Sequence, residues 1–337
     1  MAGQLSGAVS TRSSSRRAAT LRLLRRRLIQ AVPLMLGVVV INFVLIHLAP
    51  GNFLDVMTAE NQVSDPATVE LLRRTYGLDD PTWLQLVKYV WALLHLDFGF
   101  SYRQNMPVLQ AIWVGLPATL LLMLSSITLA FAVGVSAGVV ASTKVRTLWD
   151  TVVSVAAMFF FAAPSFWLGI MMIVLFAVKL GWLPVGGMAT IGGGGGLLDI
   201  LHHLILPTLA LGLFYAAIYA RVMRASMLEV AQLDFVRTAR AKGLSRTRVT
   251  LSHVLRNALL PVVTILGVQM GTILAGSVVI ESVFSWPGIG SLLFDSVSSR
   301  NYPVVLGIMV LGSLVVIAAN IAVDLVYMWL DPRIEIR

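Results

Sequence analysis

The chain has 337 residues, 58% of them hydrophobic and 12% charged, with a formal net charge of +9 and no cysteine. A soluble domain carries about 25% charged residues, so a single water-soluble domain, a disordered chain and a fibrous repeat are all excluded. Without thiols there is no disulfide framework, thiolate zinc site or cysteine nucleophile.

Residues 1–27 form a basic N-terminal segment in which Arg22, Arg25, Arg26 and Arg27 alternate with Leu21, Leu23, Leu24 and Leu28. Such a segment suits anionic headgroups beside a first membrane span. The apolar block that follows, residues 28–49, has no Ala-x-Ala cleavage site and reads as a retained anchor, not a removable signal. Residues 83–96 are apolar but short and carry Lys88 and His95, which predicts an interfacial or re-entrant helix. Further windows lie at 118–141, 151–178, 204–220, 258–280 and 303–323, and none of the six contains Asp, Glu, Lys or Arg.

A helix crosses a bilayer core with roughly 20 apolar residues, so the expectation is an all-α polytopic membrane protein with six transmembrane helices. The strands of about 10 alternating residues that build a barrel are not seen. Pro164 should kink the third span or mark its effective start, and Pro207 makes the limits of the short fourth window the least defined.

Placing both termini in the cytoplasm puts 19 of the 25 Lys and Arg inside and six outside, while ten of the 16 acidic residues fall outside. This is the asymmetry that orients membrane proteins. It accounts for the basic balance without a nucleic-acid partner.

Few groups at membrane depth could carry chemistry. Asn42, His47, Gln269 and Asn320 lie within the windows and Asp324 at the end of the last. His47 is expected at the interface. His202 and His203 are adjacent, so on a helix they point about 100° apart and form no bidentate metal site. The run Gly192 to Gly196 has no Gly-Lys-Ser/Thr after it and reads as a flexible loop; no phosphate loop occurs anywhere, so the chain is not expected to be an enzyme. An ion-coupled carrier would show intramembrane carboxylates or paired broken helices, and an embedded enzyme a nucleophile or metal constellation. Small residues recur at four-residue spacing, Ala130, Gly134 and Gly138 and then Gly267, Gly271 and Ala275, and predict close helix packing within the bundle or against a partner chain.

The most informative segment is the basic loop 221–257. Asp234 is a suitable N-cap, residues 235–242 form helix readily, Gly243 can take the left-handed cap and Ser245 can cap a second helix leading to Pro261. The first helix would be roughly 12 Å long. Ala239, Ala241 and Gly243 are small enough to enter a cleft on a docking partner whose acidic residues pair with Arg237, Arg240 and Lys242. Charge alone favours a topology signal over a docking surface.

The stretches Arg237-Thr-Ala-Arg-Ala-Lys-Gly243-Leu-Ser245 and His253-Val-Leu-Arg-Asn-Ala-Leu-Leu-Pro261 resemble the cytoplasmic signature loop of binding-protein-dependent ABC importer permeases, most closely the dipeptide, oligopeptide and nickel branch. In the same order come His47-Leu-Ala-Pro-Gly51, Tyr76-Gly-Leu-Asp-Asp-Pro81, Leu116-Pro-Ala-Thr-Leu120, Pro164-Ser-Phe-Trp-Leu-Gly169, Gly181-Trp-Leu-Pro-Val-Gly-Gly187 and Asp331-Pro-Arg333, so the resemblance spans about residues 20–335. Arg237-Thr238-Ala239 stands where the superfamily signature opens Glu-Ala-Ala, a departure that looks typical of the peptide branch.

The resemblance implies the type I ABC importer permease fold. It implies a core at 118–327, a first span with its extracytoplasmic segment at 28–117 and a cytoplasmic tail at 328–337. It also implies an ATPase-coupling role for Asp234, Arg237, Thr238, Ala239, Arg240, Ala241, Lys242, Gly243, Leu244 and Ser245. The implied partners are a second homologous permease, two cytoplasmic ATPase domains that bind ATP and Mg, and an extracytoplasmic binding protein that delivers the solute. The resemblance implies an ATP-driven importer of di- or oligopeptides, with nickel or another small solute as the alternative cargo.

Overall fold

The computed structural model describes residues 3–48, 70, 80–101, 103–190, 192 and 196–330. The expected motif positions 49–51 and 76–79, most of the glycine run and Asp331-Pro-Arg333 lie outside the described residues, as do the side chains of Arg22 and Asp324. The described chain divides into two compact units, residues 110–298 and residues 1–109 with 299–337.

In the latter unit, α1 (Gly3–Leu48) contains the apolar stretch Leu24–Leu45 and packs on α11 (Tyr302–Leu330). Between them in sequence, α2 (Thr82–Leu94) replaces the expected 83–96 helix and exposes Trp83, Val87, Trp91 and Leu94. These positions recur at helical spacing and form one exposed apolar face of the helix. Tyr89 of α2 stacks on Phe43 of α1 at 6.2 Å, and His47 is exposed with its ring 2.8 Å from the Phe43 carbonyl and 3.1 Å from the Gln85 side chain. A two-residue antiparallel hairpin, β1 (Phe100–Ser101) and β2 (Met106–Pro107), departs from the all-helical pattern. Asn301, just before α11, donates to buried Ser101 Oγ at 2.9 Å and Gln104 Oε1 at 3.0 Å, which ties the hairpin down.

Residues 110–298 form the larger bundle. Helix α3 (Val108–Thr143) is followed by α4 (Leu148–Ala162) and α5 (Ser165–Met172), the last continuing through wide helical turns to Lys179. The α4–α5 break bends by 103°. Pro164 lacks the N–H that would continue the ladder, whereas Ala163 still donates to Phe159 O at 3.0 Å and Pro164 O accepts from Leu168 at 3.1 Å. The expected third window is therefore interrupted at Pro164 and is not one continuous helix. Among the described residues, five helices are long and apolar enough to cross a membrane, or six if this bent pair counts as one crossing.

Helix α6 (Leu197–Val230) runs well beyond the 204–220 window and carries Pro207 inside it. Its buried residues, including Leu204, Leu211, Tyr215, Tyr219 and Met223, occupy nearly every face, as expected of a central helix. The Gly134 and Gly138 stripe of α3 is what lets α6 approach. A Cβ at Gly134 would lie 2.6 Å from Ala216 O and one at Gly138 2.6 Å from Met223 Cβ. Among lipid tails there is no hydrophobic drive between helices, so such backbone proximity supplies much of the attraction. On α9 (Leu255–Val283), Gly267 is buried, Gly271 half-buried and Ala275 exposed.

Gly138→Leu is expected to force α3 from α6 and cost about 2 kcal/mol or more, read as a lower melting temperature in detergent. Gly37→Ala, where the added carbon meets nothing within 4 Å, should leave the melt unchanged.

Candidate functional site

The loop between α6 and α9 folds as two short helices. Helix α7 (Asp234–Ala241) ends at Lys242, Gly243 adopts φ +77°, and α8 (Arg246–Arg248) runs through wide turns at Val249–Val254 into α9. Gly243 takes the left-handed position expected of it, and its N–H donates to Arg240 O at 2.9 Å. Ser245 is the N-cap of α8, its Oγ accepting from Arg248 N at 3.4 Å.

The N-cap of α7 differs from expectation. Leu233 occupies it in extended conformation, and Asp234 is the first helical residue. A helical residue cannot turn its carboxylate back onto the first-turn N–H groups as an extended one does. Asp234 instead lies 3.6 Å from Arg237 on the exposed surface, where it still complements the positive end of the helix.

The ten expected residues fall on two faces. Asp234, Arg237, Thr238, Arg240, Ala241, Lys242, Gly243 and Ser245 are exposed. Ala239, 6% exposed, joins fully buried Val236, Val249 and Val254 in the core of the bundle, with Leu244 packed against the same cluster. Val236 and Ala239 are three apart and so share one face of the helix. That face holds α7 to its own chain. Ala239 is thus a foundation residue and not part of a contact surface, and Phe235, also exposed, joins the outward face in its place. At Gly243 a Cβ would meet nothing within 4 Å, so the backbone angle alone requires glycine there.

A second polar cluster has no counterpart in the sequence reading. Glu281, near the end of α9, is 0% exposed. Its Oε1 accepts from Thr119 Oγ1 of α3 at 2.8 Å, and its Oε2 accepts from Gly290 N at 2.7 Å and Ser291 N at 3.1 Å. Gly290 and Ser291 open α10 (Ile289–Ser298), so the carboxylate caps a helix to which it does not belong. Thr119 Oγ1 in turn accepts from Ile289 N at 2.8 Å, and Trp286 Nε1 donates to Ala118 O at 2.8 Å. Glycine at 288 and 290 is required by proximity, since a Cβ at Gly288 would lie 2.3 Å from Glu281 Oε2 and one at Gly290 2.5 Å from the Val278 backbone. Glu281 lies one residue past the 258–280 window. A carboxylate shortly before a Trp-Pro-Gly-Ile-Gly turn was the available signal.

His202 Nε2 donates to Trp182 O at 3.1 Å and His203 Nδ1 to Asp199 O at 2.9 Å, with the two rings at 86°. Among the described residues no three His, Cys, Asp or Glu side chains form a group that could hold a metal ion.

The described residues form an all-α polytopic bundle with five to six candidate membrane spans and a short surface helix between α6 and α9. Residues 131–336 match the family model of the binding-protein-dependent transport system inner membrane component, and residues 20–123 that of the N-terminal part of such membrane components. The chain belongs to this family of binding-protein-dependent transport permeases. It is 38% identical to the oligopeptide transport system permease protein AppB of Bacillus subtilis over 92% of this chain and 98% of AppB. It is 38% identical to the dipeptide transport system permease protein DppB of Escherichia coli K12, and 41% identical to the di/tripeptide transport system permease protein DppB of Pseudomonas aeruginosa, over 94% of this chain and 99% of each relative. Among solved structures, an inward-facing MetNI methionine ABC transporter shares the fold, with TM-score 0.50 and 18% identity over 66% of this chain and 97% of that one.

Glu281→Ala leaves two backbone N–H groups and a hydroxyl without their acceptor and is expected to cost about 3 kcal/mol or more. Thr119→Val should cost less, since it keeps the carboxylate on α10. Melting temperatures in detergent check both, and a wild-type melt for Glu281→Ala would contradict the capping role.

Proposed function

We propose that the chain is the permease subunit of an ATP-driven importer of di- or oligopeptides. The observation that carries this is the match to three peptide permeases over 92–94% of this chain and 98–99% of theirs. The chain crosses the inner membrane six times with both termini cytoplasmic, counting the broken α4–α5 pair as one crossing. The sequence supports this orientation through its 19-to-6 partition of Lys and Arg. Residues 1–27 lie on the cytoplasmic face, 28–117 hold the first span and extracytoplasmic segment, 118–327 form the permease core, and 328–337 return to the cytoplasm.

In this reading, a second homologous permease completes the pathway and an extracytoplasmic binding protein delivers the peptide. Two ATPase domains, holding ATP and Mg, dock on the outward face of α7. That face offers Phe235, Thr238 and Ala241 among Arg237, Arg240 and Lys242, a small apolar surface ringed by positive charge. Its inward face, Val236 and Ala239, rests on the start of the α8–α9 rod. ATP energy reaches the pathway only through contacts that differ between two states of the complex, and α7 is where such contacts enter this chain.

Uptake of a labelled dipeptide into liposomes should require the ATPases, the partner permease and the binding protein together. Proton-driven uptake by the lone chain would refute the reading. Cysteines placed at Val185 and Ser245 should react with impermeant reagent from the outside and the inside respectively.

At the loop, Phe235→Asp and Ala241→Asp should abolish copurification of the ATPase subunits while membrane levels stay normal. Ala239→Asp buries a charge within the chain itself and should instead lower its own stability by about 3 kcal/mol. Gly243→Val should cost about 1 kcal/mol from the backbone.

A further inference from the structure

Helices α4 and α6 run antiparallel, and two contacts set their register. At the start of α4, Asp150 Oδ1 accepts from Arg224 Nε at 2.7 Å and Oδ2 from Arg224 Nη2 at 3.0 Å. At its end, Phe161 stacks on Phe214 with centroids 5.9 Å apart and planes at 12°. The Asp150 side chain is 10% exposed and that of Arg224 33%. Asp150 Oδ2 also accepts from Arg146 N at 3.0 Å, holding the α3–α4 turn where Arg146 sits at φ +62°. A Cβ at Gly138 would lie 3.1 Å from Arg224 N, so the end of α3 presses against the same place. Three helices and a turn converge on one bidentate pair.

Its position in the chain gives the pair a further meaning. Arg224 lies near the end of α6, whose last residue, Val230, is separated from α7 only by Ala231–Leu233. Asp150 lies in the first turn of the helix that ends at the 103° break. Apolar helix faces in lipid can slide with little loss of contact area, because no hydrophobic drive opposes it. A planar fork on a carboxylate cannot, since a shift along the axis breaks both hydrogen bonds.

We propose that Asp150 and Arg224 are positioning residues that make α4 follow α6, so that a displacement entering at α7 reaches the broken α4–α5 span. The proposal rests on α7 as the docking helix. Phe161–Phe214 contributes packing at the far end, and the ion pair supplies the resistance to sliding.

The chain has no cysteine, so paired spin labels can be placed at exposed Val155 on α4 and Thr238 on α7. The test uses the whole complex in lipid nanodiscs, compared nucleotide-free and trapped with ATP and vanadate. With the pair intact, the 155–238 distance distribution stays narrow and the same in both states. In Asp150→Asn or Arg224→Gln it shifts or broadens on trapping. ATP hydrolysis then persists, but its stimulation by the binding protein falls by about tenfold, within the usual range for coupling between sites. The double change Asp150→Arg with Arg224→Asp restores most of both readouts, whereas a merely structural loss lowers basal hydrolysis too and is not rescued. Distances unaltered by trapping in the single variants, or a shift already present with the pair intact, overturn the proposal. Copurification of ATPases with the Phe235→Asp chain would instead overturn the docking reading alone.

Discussion

Lipid offers no hydrogen bonds, so every backbone polar group at membrane depth must be satisfied by the protein. Unbroken helices meet this condition by themselves, and the chain departs from them at few points. Each departure has its own remedy. At the α4–α5 break proline removes the donor that would otherwise be orphaned. At the α9–α10 corner the first N–H groups of α10 are taken by Glu281 and Thr119. The carboxylate is expensive to bury, yet a capped helix end with three donors is a site where its charge is matched. An apolar replacement could fill the volume but would leave those donors bare.

The same constraint explains the glycines. Gly134 and Gly138 are absent side chains that let α3 and α6 meet backbone to backbone, while Gly288 and Gly290 leave room for the Glu281 carboxylate. Both arrangements replace the hydrophobic effect, which is silent between helices in lipid, with contact and hydrogen bonding. Gly243 belongs to a different class, because its surroundings are open and only its left-handed angle matters.

In the proposed function, part of such a bundle must move without being dissolved. Helix α7 has the construction such a role demands: one face, Val236 and Ala239, is embedded in the core, and the other is exposed and basic. In that proposal, the inner attachment of α7 turns a push on the outer face into a displacement of α6 and α9 instead of a local distortion. The proposed role of the Asp150–Arg224 pair is to make α4 travel with α6.

Much of this was legible in the sequence. Long uncharged windows fall where the spanning helices are, because crossing a bilayer needs about 20 apolar residues whatever the neighbours. The break at Pro164, the left-handed Gly243 and the Ser245 cap are local backbone chemistry and were readable for the same reason. Which face of α7 points inward was not, since Ala239 and Ala241 are equally small and only the packing of Val249 and Val254 distinguishes them. Nor was the N-cap at Leu233, which depends on where the chain leaves α6. The Glu281 cap and the Asp150–Arg224 pair join residues far apart in sequence, Thr119 with Glu281 and Asp150 with Arg224. Hydropathy and spacing record what each segment needs from its solvent. Only the tertiary structure decides which polar groups meet, because partner choice is made across helices and leaves no periodic trace along any one of them.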